Sequence, residues 1–105
     1  CGVVLRFPKK QLPCFTQWKN TVGEREGYVT GMEPGVNLPN PKTFERQHGR
    51  VKVLQPGESY ASDIILDVHS NSESVAAVEA EVAAMLNGRE TLVHPTPIAK
   101  WSAGA

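Results

Sequence analysis

The hydrophobic pattern changes period once, near residue 70, and that change limits the chain to a β-rich body followed by one helix. Over residues 59–69 the side chains alternate. Tyr60, Ser62, Ile64, Leu66 and Val68 fall on one face, and Ala61, Asp63, Ile65, Asp67 and His69 on the other. A period of two with one apolar face is the mark of an antiparallel strand buried on one side. From Val75 onward the apolar residues instead fall at Val75, Val78, Val82, Met85 and Leu86, a helical stripe. Five interspersed alanines favour the helix, Ser70 (with Glu73 three residues on) or Ser72 is expected to cap it, and Asn87-Gly88 stops it.

Upstream, GVVLRF (2–7) and CFTQWK (14–19) alternate in the same way. The first places Val3, Leu5 and Phe7 together. The second places Cys14, Thr16 and Trp18 against Phe15, Gln17 and Lys19, with Trp18 expected on the core side. A Gly- and charge-rich turn (20–27) leads to a short strand, YVTGME (28–33), which Pro34-Gly35 ends. Residues 35–43 hold two prolines and two asparagines and read as a shaped loop, followed by one helical turn at 44–50. Val51, Val53 and Leu54 suggest a further short strand before the turn Gln55-Pro56-Gly57-Glu58. The expected fold class is therefore mainly β. Residues 1–70 form an antiparallel β-sandwich segment, and residues 71–105 add one C-terminal α-helix (about 72–87) and an extended tail to the same domain.

Composition narrows the function. Eleven basic and eleven acidic residues leave no net charge, which disfavours nucleic acid and polybasic membrane anchoring as partners. No apolar run approaches the roughly 18 residues of a membrane span. The first residues lack the pattern of a secretory leader, so a cytoplasmic protein is expected. Two cysteines, Cys1 and Cys14, make no disulfide framework and read as free thiols, and no Cys/His cluster has metal-site spacing. The start at Cys1 is consistent with trimming or with a piece of a longer chain.

Three segments carry a resemblance: LRFPKKQLPCFTQWKN (5–20), GMEPGVNLPNP (31–41) and GRVKVLQPGESY (49–60), the last running into a long strand. Together they resemble the C-terminal part of the aldose 1-epimerase (galactose mutarotase-like) family, in its epimerase-like bacterial branch. The resemblance implies part of a β-supersandwich that binds a hexose or modified hexose in a cleft, with no metal or organic cofactor. It implies that Glu33 is the general base that removes the anomeric proton. Rigid placement at a strand end, with partial burial, would suit that role. Gln17, Lys19, Asn37 and Arg6 are the expected substrate-binding residues, with Asn37 equally suited to building the turn and Arg6 to an exposed strand position.

The acid partner is the departure from the family. Its histidine lies upstream of the matched region, and His48, His69 and His94 sit in no matching motif. Enzyme activity of the isolated chain is thus open. The alternative is a non-catalytic carbohydrate-binding or self-assembling β-sandwich module. Unpaired sheet edges further imply a homo-oligomer or association with the remainder of a longer chain.

Overall fold

A computed structural model describes residues 1–105. Antiparallel β-sheet and one long C-terminal helix make up the fold. Its elements are β1 (Gly2–Arg6), β2 (Cys14–Lys19), a 3₁₀ turn (Glu24–Glu26), β3 (Thr30–Gly35), α1 (Lys42–Gln47), β4 (Ile65–His69) and α2 (Ser72–Leu86). The strands form two separate two-stranded sheets. β1 pairs with β4 from Gly2↔His69 to Arg6↔Ile65, and β2 pairs with β3 from Cys14↔Gly35 to Lys19↔Thr30. The stacked rings of Phe7 and Phe15, 5.8 Å apart, link the two sheets across the connection between β1 and β2.

One expected strand is absent and another is shortened. Residues 51–54 are not in a sheet, and of 59–69 only the last five residues pair. The register explains the second loss. Continuing the β1–β4 ladder would bring Pro8, which has no N–H, opposite Asp63, so pairing stops at Arg6. Side chains hold the unpaired stretch instead. Tyr60 Oη donates to the Gln11 carbonyl, while Gln11 Nε2 donates to Asp63 Oδ2 (3.0 Å) and Gln11 Oε1 accepts from the Asp63 amide (2.8 Å).

α2 begins at Asn71, whose side chain accepts from the Ser74 amide at 2.8 Å. Asn71, rather than Ser70 or Ser72, is the cap because its extended backbone (φ −130°, ψ 163°) turns its oxygen onto the open first turn. The helix ends where Asn87 (φ 49°) and Gly88 (φ 73°) enter the left-handed region, and the Arg89 guanidinium satisfies the carbonyls of Met85 and Leu86. Arg6 ties the helix to the sheet, with Nε on Asp67 (2.8 Å) and a bidentate pair of bonds to Glu81 (2.7 Å each). The hydrogen bonds to Arg6 hold the Glu81 carboxyl below its ordinary range.

A second polar knot organises the middle of the chain. Glu45 is fully enclosed, and both carboxylate oxygens are saturated. Oε1 accepts from Asn40 Nδ2 (2.7 Å) and Arg50 Nη2 (2.7 Å), and Oε2 accepts from the Leu38 amide (3.0 Å) and Arg50 Nε (2.6 Å). The remaining groups of the knot reach the C-terminal tail. Arg50 Nη1 donates to the Lys100 carbonyl, Asn40 Nδ2 donates to the Trp101 carbonyl, and Asn40 Oδ1 accepts from the Ala103 amide. The Arg50 hydrogen bonds lower the Glu45 carboxyl to about 2; desolvation opposes them, and Asn40 and Leu38 add to the lowering.

Little apolar surface is hidden. Leu12, 6% exposed, is the one buried aliphatic residue. The radius of gyration is 17.0 Å, against about 13 Å for a compact chain of this length. Two outcomes follow. Leu12→Ala costs about 2–3 kcal/mol in urea denaturation, whereas Leu92→Ala, at a position 77% exposed, stays within about 0.5 kcal/mol. Second, Glu45 titrates lower folded than unfolded, so the unfolded chain takes up the proton first as pH falls. Its stabilisation is complete above the ordinary 4.5 and is lost progressively as pH falls toward about 2. Denaturation midpoints measured across that range fall with pH in the native chain and fall less steeply in Glu45→Gln.

Candidate functional site

Directly paired residues of an antiparallel ribbon share a face, so the β2–β3 register decides which side chains meet. Thr16 pairs with Glu33, Trp18 with Gly31 and Cys14 with Gly35, which puts these six on one face. Gln17 pairs with Met32, Lys19 with Thr30 and Phe15 with Pro34, on the other. The expected base and two of its expected substrate ligands thus lie on opposite faces of the ribbon. Gln17 Nε2 leans toward Thr30 Oγ1 at 3.5 Å, and Lys19 is exposed.

Glu33 has a different neighbour from the one alternation suggests. Trp18, expected in the core, is 52% exposed and stands on the Glu33 face. Alternation separates two faces without saying which one is covered, and here neither face is covered at the Trp18–Lys19 end of the ribbon. Gly31 lies between the two side chains. A Cβ added there would meet Glu33 Oε1 at 2.7 Å and the Trp18 Cβ at 3.5 Å. Glycine therefore lets the carboxylate fold back over the strand toward the indole. Glu33 is itself exposed, not partly buried, and makes no hydrogen bond or ion pair within the chain. A carboxylate that accepts from hydroxyls, beside an indole plane that packs on C–H groups, is a combination suited to a sugar.

Of the other expected ligands, Asn37 builds the turn. Its carbonyl would lie 3.3 Å from a Cβ on Gly35, so the chain doubles back closely at this point. Arg6 commits Nε, Nη1 and Nη2 to Asp67 and Glu81 on the helix side of the β1–β4 sheet, away from the ribbon.

A concave surface runs beside β2. The Asn20 amide bond to the Val29 carbonyl sets the ladder phase. In that phase Trp18–Gly31 and Thr16–Glu33 exchange backbone bonds, and the N–H and C=O groups of Phe15 and Gln17 point to the free edge. On the matching edge of β3, Pro34 removes the outward N–H, so the β3 edge is blunted and the β2 edge is not. An open groove of about 720 Å³ follows the β2 edge. Thr16 and Gln17 line one side, and Leu38, Asn40 and Trp101 the other. The Glu45 knot positions that second wall. Sequence reading misses this wall because the tail joins Asn40 and Arg50 only across 50 residues or more.

The histidines lie on other elements. His48 Nδ1 lies 2.9 Å from the Phe44 carbonyl with its ring on Phe44, His69 is half-buried on β4, and His94 packs edge-on against Trp101. No three His, Cys, Asp or Glu side chains converge as metal ligands would, both cysteines are free, and no helix is long and apolar enough to cross a membrane.

Comparison with known families gives one match: residues 1–68 fit the model described as Domain of unknown function (DUF4432). No curated protein and no solved structure matches the chain.

Proposed function

The chain belongs to the DUF4432 family, a domain of unknown function, and from the motif resemblance and the geometry of the β2–β3 ribbon we propose that it is the sugar-binding, base-bearing portion of an aldose 1-epimerase-like protein, working in the cytoplasm on a hexose or modified hexose. The observation that carries the reading is the shared face of Trp18 and Glu33, with the missing side chain at Gly31 leaving room for the carboxylate to reach back toward the indole. The motif resemblance over residues 5–60 supports it independently.

In this reading a pyranose packs its C–H face on the Trp18 indole with its anomeric hydroxyl toward Glu33. Glu33 removes the proton from O1, the C1–O5 bond breaks as O5 takes a proton, and an open-chain aldehyde forms. Rotation about C1–C2 followed by the reverse transfers closes the ring as the other anomer, and no atom or electron is gained or lost. A positioned base contributes about 10²–10⁴-fold. The donor to O5 is a separate group. None of the three histidines contacts Glu33, which favours a second reading, a non-catalytic sugar-binding module on the same face. Self-association of the chain belongs to both readings.

Magnetisation exchange between the anomers of glucose and galactose separates them. The first reading expects the protein to accelerate exchange, Glu33→Gln to remove about 10²-fold or more of that acceleration, and Trp18→Ala to weaken binding. Full activity in Glu33→Gln would contradict the base assignment. Trp18-dependent binding without any acceleration would establish the second reading.

A further inference from the structure

Every charged side chain that lines one hollow of the surface is a cation. This open hollow, of about 300 Å³, adjoins the Glu45 knot and lies at the lower end of the size range for small-molecule sites. The loop after β1 contributes Lys10, and the stretch after α1 contributes Arg50, Val51 and Lys52, with Tyr60 beside them. Its walls are fixed. Leu12, the buried aliphatic residue, anchors the loop that carries Lys10, and Gln11 ties that loop to Tyr60 and Asp63. Lys52 Nζ stands 3.9 Å from the centre of the Tyr60 ring, a cation–π contact that holds its long side chain at the hollow.

The charges there are unbalanced. Glu45 neutralises Arg50, but Lys10 and Lys52 make no ion pair. No carboxylate lines the hollow; Asp63, held by Gln11, borders a different one beside Arg6 and Phe7. The amides of Val51 and Lys52 also make no hydrogen bond within the chain. Two unmatched cations on one concave surface, in a chain with no net charge, favour an anionic occupant. An apolar face or a bare strand edge can be covered by any further protein. A hollow walled by unpaired ammonium groups stays open to water or to an anion, because lysine is almost never fully buried unless paired.

We propose that this hollow binds a phosphate group, free or carried as a monoester by a small molecule, through the ammonium groups of Lys10 and Lys52. A phosphate monoester carries about −1.5 to −2 charge at pH 7 and three acceptor oxygens, enough to meet both ammonium groups and a free amide. A carboxylate carries one charge and matches one of them. None of Trp18, Gly31 and Glu33 lines the hollow, so the site does not depend on the sugar chemistry.

The test is a nitrogen-15 correlation spectrum of the full chain, titrated at constant ionic strength with inorganic phosphate, glycerol phosphate and acetate. Both phosphates shift the Val51 and Lys52 amides saturably at millimolar concentration, and the tighter of the two shows whether the group arrives free or on an organic carrier. Acetate binds more weakly than either. Lys10→Ala and Lys52→Ala each weaken phosphate binding at least about 10-fold. Lys52→Arg, which keeps the charge and the contact with Tyr60, retains it, and Lys42→Ala, at an exposed lysine of α1, changes nothing. The same spectra show that each variant keeps its fold. No saturable shift from either phosphate up to tens of millimolar overturns the proposal. So does binding indifferent to both alanine variants, or acetate bound as tightly as phosphate. Sugar titrations read at Trp18 are unaffected in each case, so failure here is distinguishable from failure of the functional reading.

Discussion

Four hydrogen bonds converge on the enclosed carboxylate of Glu45, and the arrangement of the central loop, α1 and the C-terminal tail depends on them. Enclosing a carboxylate is costly unless every lone pair finds a donor and a cation neutralises it. Both conditions hold: Arg50 binds in the bidentate mode, and Asn40 and the Leu38 amide complete the shell. Asn40 and Arg50 then use their remaining groups to hold residues 100–103. A chain with a single buried aliphatic residue has little hydrophobic burial to fix its loops, so directional polar bonds do that work. The wall of the groove beside β2 is one consequence.

Sequence patterns reported local structure well and partnership poorly. β1, β2 and α2 stand close to where periodicity places them, because alternation and helical spacing are properties of the chain's own residues. The strand expected across 59–64 fails because a strand exists only with a neighbour, and Pro8 removes that neighbour. The inward placement that alternation suggests for Trp18 fails for a similar reason: two faces can be read from CFTQWK, but which one is covered depends on the rest of the fold. The pairing of Glu33 with Thr16 was likewise invisible. It required the β2–β3 register, and that register separates Glu33 from Gln17 and Lys19. The reach of the Glu45 knot to the tail left no local trace, since those contacts span some sixty residues.

The two ribbons divide the chain's surface by chemistry. β2–β3 presents an indole and a free carboxylate, with glycine between them, next to an open groove. β1–β4 presents only aliphatic side chains opposite its helix. The first combination suits a small polyhydroxylated ligand, and the second suits another apolar sheet.

The indole resonances test the central claim most directly. The chain has two tryptophans, Trp18 on the Glu33 face and Trp101 in the tail. Their Nε1–H signals separate in a nitrogen-15 correlation spectrum and are assigned by substituting each in turn. If the Glu33 face holds the sugar, titration with galactose or glucose shifts the Trp18 signal saturably and leaves Trp101 in place. A Trp18 signal that stays fixed at sugar concentrations well into the millimolar range, or a response confined to Trp101, would contradict the account.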